Sequence, residues 1–269
     1  MMNAQVVAID GKKAAEVALP AQFAEVYRPD LIRRAFHSER SFLLQPKGSY
    51  PMAGRNYTAE YYGRRHAWRQ TINTGRSRLP RVKIPGGRSG RVLTVPQATH
   101  GTRAHPPKAA KIIRERINLK EKNYAIRSAI AATAVKELVV KRGHKFSDST
   151  SFPIIVDASI EQLKKAREAK SALVALGFEA DIERCHKART MRSGRARLRR
   201  GGYRTPSSAL IVVGKDSGIW KAARNIPGVD VVPVDKLTVE LLCPGGDAGR
   251  LTVWTRDAVE KLGSDRLYM

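Results

Sequence analysis

The chain has 269 residues, and its 50 Lys and Arg against 24 Asp and Glu give a formal net charge of +26 at pH 7. Hydrophobic residues make up 42% of the sequence, so a sizeable core can form and a wholly disordered chain is excluded. No run approaches the ~18 apolar residues of a membrane-spanning helix, and no signal-peptide segment is visible, so we expect a cytoplasmic protein. The charge excess indicates a polyanionic partner, with nucleic acid as the leading candidate and an anionic membrane surface as the second.

The predicted elements begin with two short strands, at 4–10 and 15–20. A helix is predicted over 29–44, because Pro29 suits a first helical turn and the apolar residues that follow it share one face. The first part of the chain is therefore typical of an ordinary folded domain.

The middle of the chain predicts regular structure over 106–117 and then a helix over 119–142. Asn118 and Glu121 make a capping pair at the start of this helix, and Gly143 is its expected stop. Apolar residues spaced four apart indicate that the helix packs against the core.

The last part of the chain alternates strands with helices. The all-apolar run 154–156 is typical of a strand buried on both faces. Ser159 and Gln162 form a capping box that would open a helix ending at Gly177. Three further strands and a terminal helix are predicted at 209–214, 229–234, 251–255 and 256–262. This alternation predicts an α/β fold with a mostly parallel sheet covered by helices.

Two basic stretches interrupt this pattern. Residues 45–108 contain one acid, Glu60, against thirteen Lys and Arg, and residues 184–206 carry nine Lys and Arg and no acid. Ordering the longer stretch costs about 1–2 kcal/mol per residue, which its few apolar side chains cannot offset, so we expect it to be mobile alone. We predict one α/β domain over 1–269, with a long irregular basic loop at 45–108 and a shorter basic extension at 184–206.

Aromatic residues lie among the arginines of both stretches, at Tyr50, Tyr57, Tyr61, Tyr62, Trp68 and Tyr203. Aromatic rings stack on unpaired bases, and guanidinium groups bond phosphates in pairs. A merely solvated face usually mixes both signs of charge, and these stretches do not. A doubled-back loop of ~60 residues reaches tens of ångströms, which suits a large folded RNA with an interior better than duplex DNA.

Motifs for cofactors and metals are weak. The first strand is followed by a single glycine, Gly11, instead of GxGxxG, and the glycines at 244–249 are typical of a turn. The glycines at 86–90 indicate a tight backbone path beside a polyanion. No CxxC or HxxxH spacing is present, so we expect neither a cofactor nor a metal site.

Catalytic residues are not evident either. Asp157 follows a strand where α/β folds often hold ligands, but a polar residue also suits the turn there, and we favour the turn. Cys185 and Cys243 are expected to be reduced thiols, although a disulfide is conceivable. Two rival functions stay open: an RNA-modifying enzyme and a chromatin-like architectural DNA binder. We expect no enzyme.

Seven short motifs follow one another along nearly the whole chain: WRQ at 68–70, TGR at 74–76, LPRVK at 79–83, VPQA at 95–98, RAHPPK at 103–108, YRTP at 203–206 and GRLTVWT at 249–255. In this order they resemble the large-subunit ribosomal protein four family in its archaeal form. The resemblance implies an α/β body on the outer face of the large subunit, which binds large-subunit rRNA early in assembly. It also implies a loop threaded inward, whose tip helps line the nascent-peptide exit tunnel. The implied partners are large-subunit rRNA, neighbouring large-subunit ribosomal proteins and the nascent peptide, with no membrane.

The predicted rRNA contacts are the cations of both stretches with two aromatic residues: Lys47, Arg55, Arg64, Arg65, Trp68, Arg69, Arg76, Arg78, Arg81, Lys83, Arg88, Arg91, Arg103, Lys108, Arg189, Arg192, Arg195, Arg197, Arg199, Arg200, Tyr203 and Arg204. By position in the family's loop, the implied tunnel-lining residues are Arg64, Arg65, His66, Arg69, Gln70, Gly75 and Arg76.

Overall fold

The computed structural model describes residues 3–83, 89–148, 150–199 and 201–269, and its largest sheet has six strands. The chain divides into two units: the body, Met1–Leu43 with Arg114–Met269, and the basic unit, Leu44–Ile113. The strands are β1 (Asn3–Val7), β2 (Lys13–Ala18), β3 (Ala59–Glu60), β4 (Arg81–Val82), β5 (Ile154–Val156), β6 (Thr190–Met191), β7 (Tyr203–Arg204), β8 (Leu210–Val213), β9 (Asp230–Pro233) and β10 (Thr252–Thr255). The α-helices are α1 (Pro29–Phe42), α2 (Leu119–Thr133), α3 (Lys136–Lys141), α4 (Ala166–Ala175), α5 (Glu179–Lys187), α6 (Arg195–Arg199), α7 (Ile219–Ala223), α8 (Val239–Leu242) and α9 (Arg256–Ser264).

The central sheet belongs to the body and has the strand order β2-β1-β5-β10-β8-β9. Every pair in it is parallel except β1 with β2. The mostly parallel α/β sheet predicted from the sequence is therefore confirmed, and each predicted strand of the body lies at its expected place.

The three middle strands are buried along their whole length, and their side chains alternate between two cores. Ile155, Leu210 and Trp254 belong to one core cluster, whereas Ile154 and Ile211 belong to the other. This alternation follows from the two-residue period of a strand. Burial of each such side chain contributes about 1.5–3 kcal/mol, so the all-apolar runs account for the sheet's position at the centre of the body.

Helices cover both faces of the sheet. Helices α1, α2, α8 and α9 contribute to the first core cluster, and α4, α5 and α7 contribute to the second. The prediction of α1 is confirmed, and the helix ends at Phe42, two residues before the expected end. No helix in the described part of the chain is long and apolar enough to cross a membrane.

The helix predicted over 119–142 is in fact two helices, because Val135 has extended backbone between α2 and α3. The break lets Val139 join the second core cluster, while Ile126 and Ile130 of α2 remain in the first. The start of α2 is as predicted, with the backbone N–H of Asn118 donating to the Glu121 carboxylate.

The regular structure predicted over 106–117 is wrong, because residues 106–118 form no helix or strand. Near the end of this segment, tertiary hydrogen bonds use the backbone groups that a regular element would pair. The Glu115 carbonyl accepts from Ser38 Oγ over 2.7 Å, and its N–H donates to Ser41 Oγ over 2.8 Å.

The capping box assigned to Ser159 is also wrong. Residues Ala158–Gln162 form a 3-10 turn, Leu163 is extended, and α4 begins only at Ala166. Ser159 Oγ instead donates to Asp157 Oδ2 over 2.7 Å. Gly177 follows α4 with a φ of +85°, as expected of a helix stop. Helix α5 was not predicted, and it includes the first residues of the stretch 184–206.

Two buried charged residues tie the body together. Arg250, 1% exposed, donates to the carbonyls of Ser208, Leu241 and Gly228 and pairs with Asp230. These bonds join the segments that lead into β8, β9 and β10.

Asp181 is the second of these residues, and it lies in α5 with no exposed surface. It accepts hydrogen bonds from Ser208 Oγ (2.6 Å), Arg184 Nε (2.9 Å), His144 Nδ1 (3.2 Å) and the Lys145 N–H (3.1 Å). Burial alone would raise the pKa of the Asp181 carboxyl, but these donors outweigh it and hold the pKa well below its usual value. Asp181 thereby ties the first turn of α5 to Ser208, to the segment 144–145 and to Arg184, the first residue of the second basic stretch.

Candidate nucleic-acid interface

The carboxyl ends of β5, β8 and β10 meet at the sheet edge where α/β enzymes often bind ligands. Here Glu161, 4% exposed, fills the edge, and its Oε1 accepts from the Gly214 N–H (2.8 Å) and the Thr255 hydroxyl (2.7 Å). The hydrogen bond from Ser159 lowers the pKa of Asp157 beside it. Asp157 thus accepts a hydrogen bond within the turn after β5, which is the role that the sequence indicates. Among the described residues, no group of three His, Cys, Asp or Glu could hold a metal ion.

The two cysteines are free thiols inside the body. Burial raises the pKa of both, to about 12 for Cys243. They therefore offer no reactive thiolate, and the expectation of reduced thiols agrees with the structure.

The basic unit has a small hydrogen-bonded frame. Strands β3 and β4 pair antiparallel, and Val82 also exchanges backbone hydrogen bonds with the segment 90–91. Thr102 Oγ1 lies within hydrogen-bond distance of the carbonyls of Gly54 (3.0 Å) and Thr94 (2.9 Å), so it links three segments of the unit. This frame fixes the path of the chain without a large core.

Apolar burial in the basic unit is slight. Among its described residues, Leu93 is the one apolar side chain that is buried. Burial of one leucine contributes about 1.5–3 kcal/mol, which is small beside the cost of ordering the unit's backbone. Apolar burial therefore contributes little to the stability of the unit.

A cavity of about 680 Å³ lies within the basic unit and is lined by four cations and no acid. The cations are Arg69, Arg76, Arg81 and Lys83. Arg81 donates to the Gly90 carbonyl (2.9 Å) and to Ser77 Oγ (2.7 Å). Lys83 donates to Thr71 Oγ1 (2.9 Å) and to the Arg69 carbonyl. These neutral acceptors orient the cations and leave their charges uncompensated.

Two nitrogen atoms at this cavity are buried without a hydrogen-bond partner among the described residues: Arg69 Nη1 and Arg81 Nε. Burial and the neighbouring charges of Arg69 and Arg81 lower the pKa of Lys83. The described part of the basic unit contains no ion pair, and the hydroxyl of Tyr62 donates to its one acid, Glu60. The undescribed residues 84–88 include no acid either. The cavity therefore has the charge and the unused donors to hold an anion.

Aromatic side chains lie beside these cations. The Arg69 guanidinium lies 4.1 Å from the centroid of the Trp68 ring, and that ring is 70% exposed. Lys83 Nζ lies 5.0 Å from the ring of Tyr62. Tyr50, Tyr57 and Tyr61 are exposed as well. Exposed rings next to cations can stack on bases while the cations bind phosphates.

The turn that carries the predicted tunnel-lining residues has unusual backbone. His66, Arg69 and Asn73 have φ values of 61°, 53° and 55°, in the left-handed region that most residues avoid. Each costs about 1–3 kcal/mol, and such positions cluster at functional sites. The structure brings three of the seven candidates together at the cavity: Arg69, Gln70 and Arg76. Arg64, Arg65, His66 and Gly75 are exposed outside it.

The remaining predicted contacts of the basic unit do not line this cavity. Trp68 is exposed beside it, and the exposed cations of this set are Lys47, Arg55, Arg64, Arg65, Arg78, Arg91, Arg103 and Lys108. Arg88 lies outside the described residues. The sequence did not single out Thr71, which is 2% exposed and anchors Lys83. Its role depends on the fold of the turn, and no spacing rule would have found it.

The second basic stretch forms a hairpin in the body. Strands β6 and β7 pair antiparallel, with α6 in the connection between them. Arg192 Nε donates to the Tyr203 carbonyl (2.9 Å), and the Arg189 guanidinium lies 4.3 Å from the Tyr203 ring.

The hairpin presents its cations to solvent. Arg189, Arg195, Arg197, Arg199, Tyr203 and Arg204 are exposed, and Arg192 is half-buried. No ion pair involves these arginines among the described residues. Arg200 lies outside the described residues. The hairpin is thus a second acid-free surface on the chain.

Comparison with known proteins identifies the family. A family model described as the Ribosomal protein L4/L1 family matches residues 17–265. The Large ribosomal subunit protein uL4 of Methanosphaera stadtmanae is 45% identical over 263 residues, which cover 98% of this chain and 97% of the relative. The proteins of the same name from Methanocaldococcus jannaschii and Archaeoglobus fulgidus are 46% and 44% identical, over 97% of this chain and 98% of each relative. These matches confirm the archaeal resemblance read from the motifs, and the chain belongs to the ribosomal protein L4/L1 family.

Proposed function

We propose that the protein is a structural, non-enzymatic constituent of the cytoplasmic large ribosomal subunit, where it binds large-subunit rRNA and contacts neighbouring ribosomal proteins. Its relatives carry the name Large ribosomal subunit protein uL4. The basic unit, whose one acid is Glu60, and the acid-free stretch 184–206 supply the cations that neutralise phosphate.

The observation that carries this proposal is the acid-free cavity of the basic unit. Arg69 Nη1 and Arg81 Nε are buried there without acceptors among the described residues, and each unpaired donor costs roughly 1–3 kcal/mol. A phosphate oxygen would satisfy such donors and compensate the charges of Arg76 and Lys83. An architectural role also agrees with the sheet edge, where Glu161 occupies the usual ligand position.

We further propose that the turn at 64–76 reaches the nascent-peptide exit tunnel, with Arg64, Arg65, His66, Arg69, Gln70, Gly75 and Arg76 as its candidate lining. The exposure of Arg64, Arg65, His66, Gly75 and Arg76 and the left-handed backbone at His66, Arg69 and Asn73 support this. In this proposal Arg69 and Arg76 have two roles, because they bind phosphate at the cavity and also form part of the tunnel lining. The nascent peptide would then pass the tip of the loop.

Sedimentation of cell extracts tests the proposal. We expect the protein to sediment with large ribosomal subunits and to leave them only under strong salt or denaturant. A competition assay at matched salt should show that rRNA fragments displace the bound protein better than duplex DNA does. Sedimentation apart from ribosomes, or a preference for duplex DNA, would contradict the proposal.

A further inference from the structure

A cavity of about 590 Å³ lies in the body, and most of its lining residues lie outside both predicted RNA-contacting stretches. Its walls come from α1, α3, α5 and the segments that lead into β8 and β10. It therefore lies at the amino edge of the sheet, opposite the edge that Glu161 fills.

The cavity carries excess positive charge. Its lining includes four cations and one carboxylate: Arg33, Lys141, Arg142, Arg184 and Asp247. Arg33 pairs with Asp247 over 3.2 Å, and Arg184 pairs with Asp181 over 2.9 Å. Lys141 and Arg142 pair with no carboxylate among the described residues.

Arg142 is held in place without being neutralised. Its two Nη atoms donate to the backbone carbonyls of Pro244 and Asp247. Burial lowers the pKa of its guanidinium, because the charge lies in a poorly hydrated position. An anion at the cavity would offset that cost.

The lining also includes an aromatic ring and three apolar side chains. Tyr27, whose surface is 38% exposed, lies with Leu138, Pro206 and Ala248 around the same space. An aromatic ring beside cations suits the two halves of a nucleotide, since the ring can stack on a base while the cations bind its phosphate. A free phosphate ion has no apolar surface that could pack against these side chains.

The cavity is continuous with the second basic stretch. Arg184 and Pro206, which line it, stand at the two ends of the segment that forms the β6–β7 hairpin. An RNA strand bound by the hairpin arginines would therefore have the cavity within reach.

We propose that this cavity holds one unpaired RNA nucleotide, with its base against Tyr27 and Pro206 and its phosphate at Lys141 and Arg142. The inference rests on the proposed function, since it needs RNA as the partner. It adds Tyr27, Lys141 and Arg142, which belong neither to the motifs nor to the two basic stretches.

The test measures the affinity of the full chain for a fluorescent, unstructured single-stranded RNA at several salt concentrations. The Arg33→Gln/Lys141→Gln double variant removes two charges at the cavity rim and keeps the structural Arg142. Its control, Lys12→Gln/Lys215→Gln, removes two exposed charges at the opposite edge of the sheet. We expect the cavity variant to bind about 5- to 30-fold more weakly and to lower the logarithmic salt slope by about one. The control should stay within about twofold of the wild type.

The apolar wall has its own test. Tyr27→Leu should weaken binding about tenfold without changing the salt slope, whereas Tyr27→Phe keeps the ring and should bind like the wild type. Matching unfolding midpoints by circular dichroism would show that each variant is folded. A Tyr27→Phe loss equal to that of Tyr27→Leu would overturn the stacking role.

The remaining outcomes separate this inference from the proposed function. If the cavity double variant binds like its control while Arg195→Gln/Arg197→Gln/Arg199→Gln weakens binding, the inference is wrong and RNA binding stands. Failure of the wild type to bind RNA would overturn both. Saturable binding of AMP as tight as that of the RNA, lost in the cavity variant, would indicate a free-nucleotide site and overturn the RNA inference.

Discussion

Arg250 Nε donates a 2.9 Å hydrogen bond to the carbonyl of Ser208. Arg250 lies two residues before β10 and Ser208 lies two residues before β8, so this bond joins the starts of the two strands. The same side chain pairs with Asp230, the first residue of β9. One buried guanidinium therefore sets the start of three neighbouring strands. It also fixes the segment from which the hairpin chain enters the sheet.

Replacing Arg250 with Met should destabilise the body by about 3–5 kcal/mol, because the carbonyls of Ser208 and Leu241 and the carboxylate of Asp230 lose the hydrogen bonds that Arg250 donates. Urea unfolding at pH 7 measures the change. Arg256→Met is the matched control, since Arg256 forms an exposed pair with Glu260 and should matter little. Equal effects of the two substitutions would contradict the assigned role.

The stability that Asp181 confers should depend on pH. Its folded-state pKa is depressed, so its contribution is complete above the unfolded pKa of about 4 and declines progressively as pH falls from there toward the lower folded-state pKa. Asp181→Asn should cost about 3 kcal/mol at pH 7, and the difference from the wild type should shrink below about pH 4. Urea unfolding across pH 3–7 tests this. A difference that stays constant over that range would show that the carboxylate charge is not what stabilises the fold.

Strands β5, β8 and β10 could be predicted because residues buried on both faces of a sheet must all be apolar, and short apolar runs show this directly. The helix break at Val135 could not be predicted, because it depends on whether Val139 packs in the first or the second core cluster. Helix α5 was hidden for a related reason: it includes Asp181, whose burial depends on donors from two other segments, at 144–145 and at Ser208, and on Arg184 of the same helix. The local sequence pattern indicates neither the packing of Val139 nor the hydrogen bonds of Asp181.

The same division holds for the candidate site. The excess of arginine and the interleaved aromatic residues are properties of composition, so the two basic stretches could be found without a structure. Their geometry could not, because the cavity between Arg69 and Arg81 exists only once a turn with left-handed backbone is formed. The body cavity at Lys141 and Arg142 draws residues from distant segments and has no local signature.

Gly101→Ala should disrupt the basic unit and leave the body intact. A Cβ at Gly101 would lie 1.9 Å from the Val95 carbonyl oxygen, a distance that forces the backbone to move. Gly48→Ala is the control, since nothing lies within 4 Å of a Cβ there. We expect Gly101→Ala alone to lower RNA affinity and to increase tryptic cleavage within 44–113, with the thermal midpoint of the body unchanged. A lowered body midpoint would show that the two units fold together.

Limited proteolysis should show that the basic unit depends on its partner. In the free protein, trypsin should cut within 46–106 before it cuts the body, because Leu93 is the one buried apolar side chain among the unit's described residues. Bound RNA should protect these sites. Equal resistance of both units without RNA would show that the basic unit is stable alone.

RNA binding should depend steeply on salt, because neutralised phosphates release counterions. About ten phosphate contacts correspond to a logarithmic slope of roughly −7 to −9. Arg69→Gln/Arg81→Gln removes two cations that each carry one buried nitrogen without an acceptor among the described residues. It should therefore make the slope shallower by one to two, whereas Lys12→Gln/Lys215→Gln should leave it unchanged. Fluorescence anisotropy with an rRNA fragment between ~50 and 300 mM salt measures the slope. If the two double variants give the same slope, the cavity of the basic unit does not hold a phosphate.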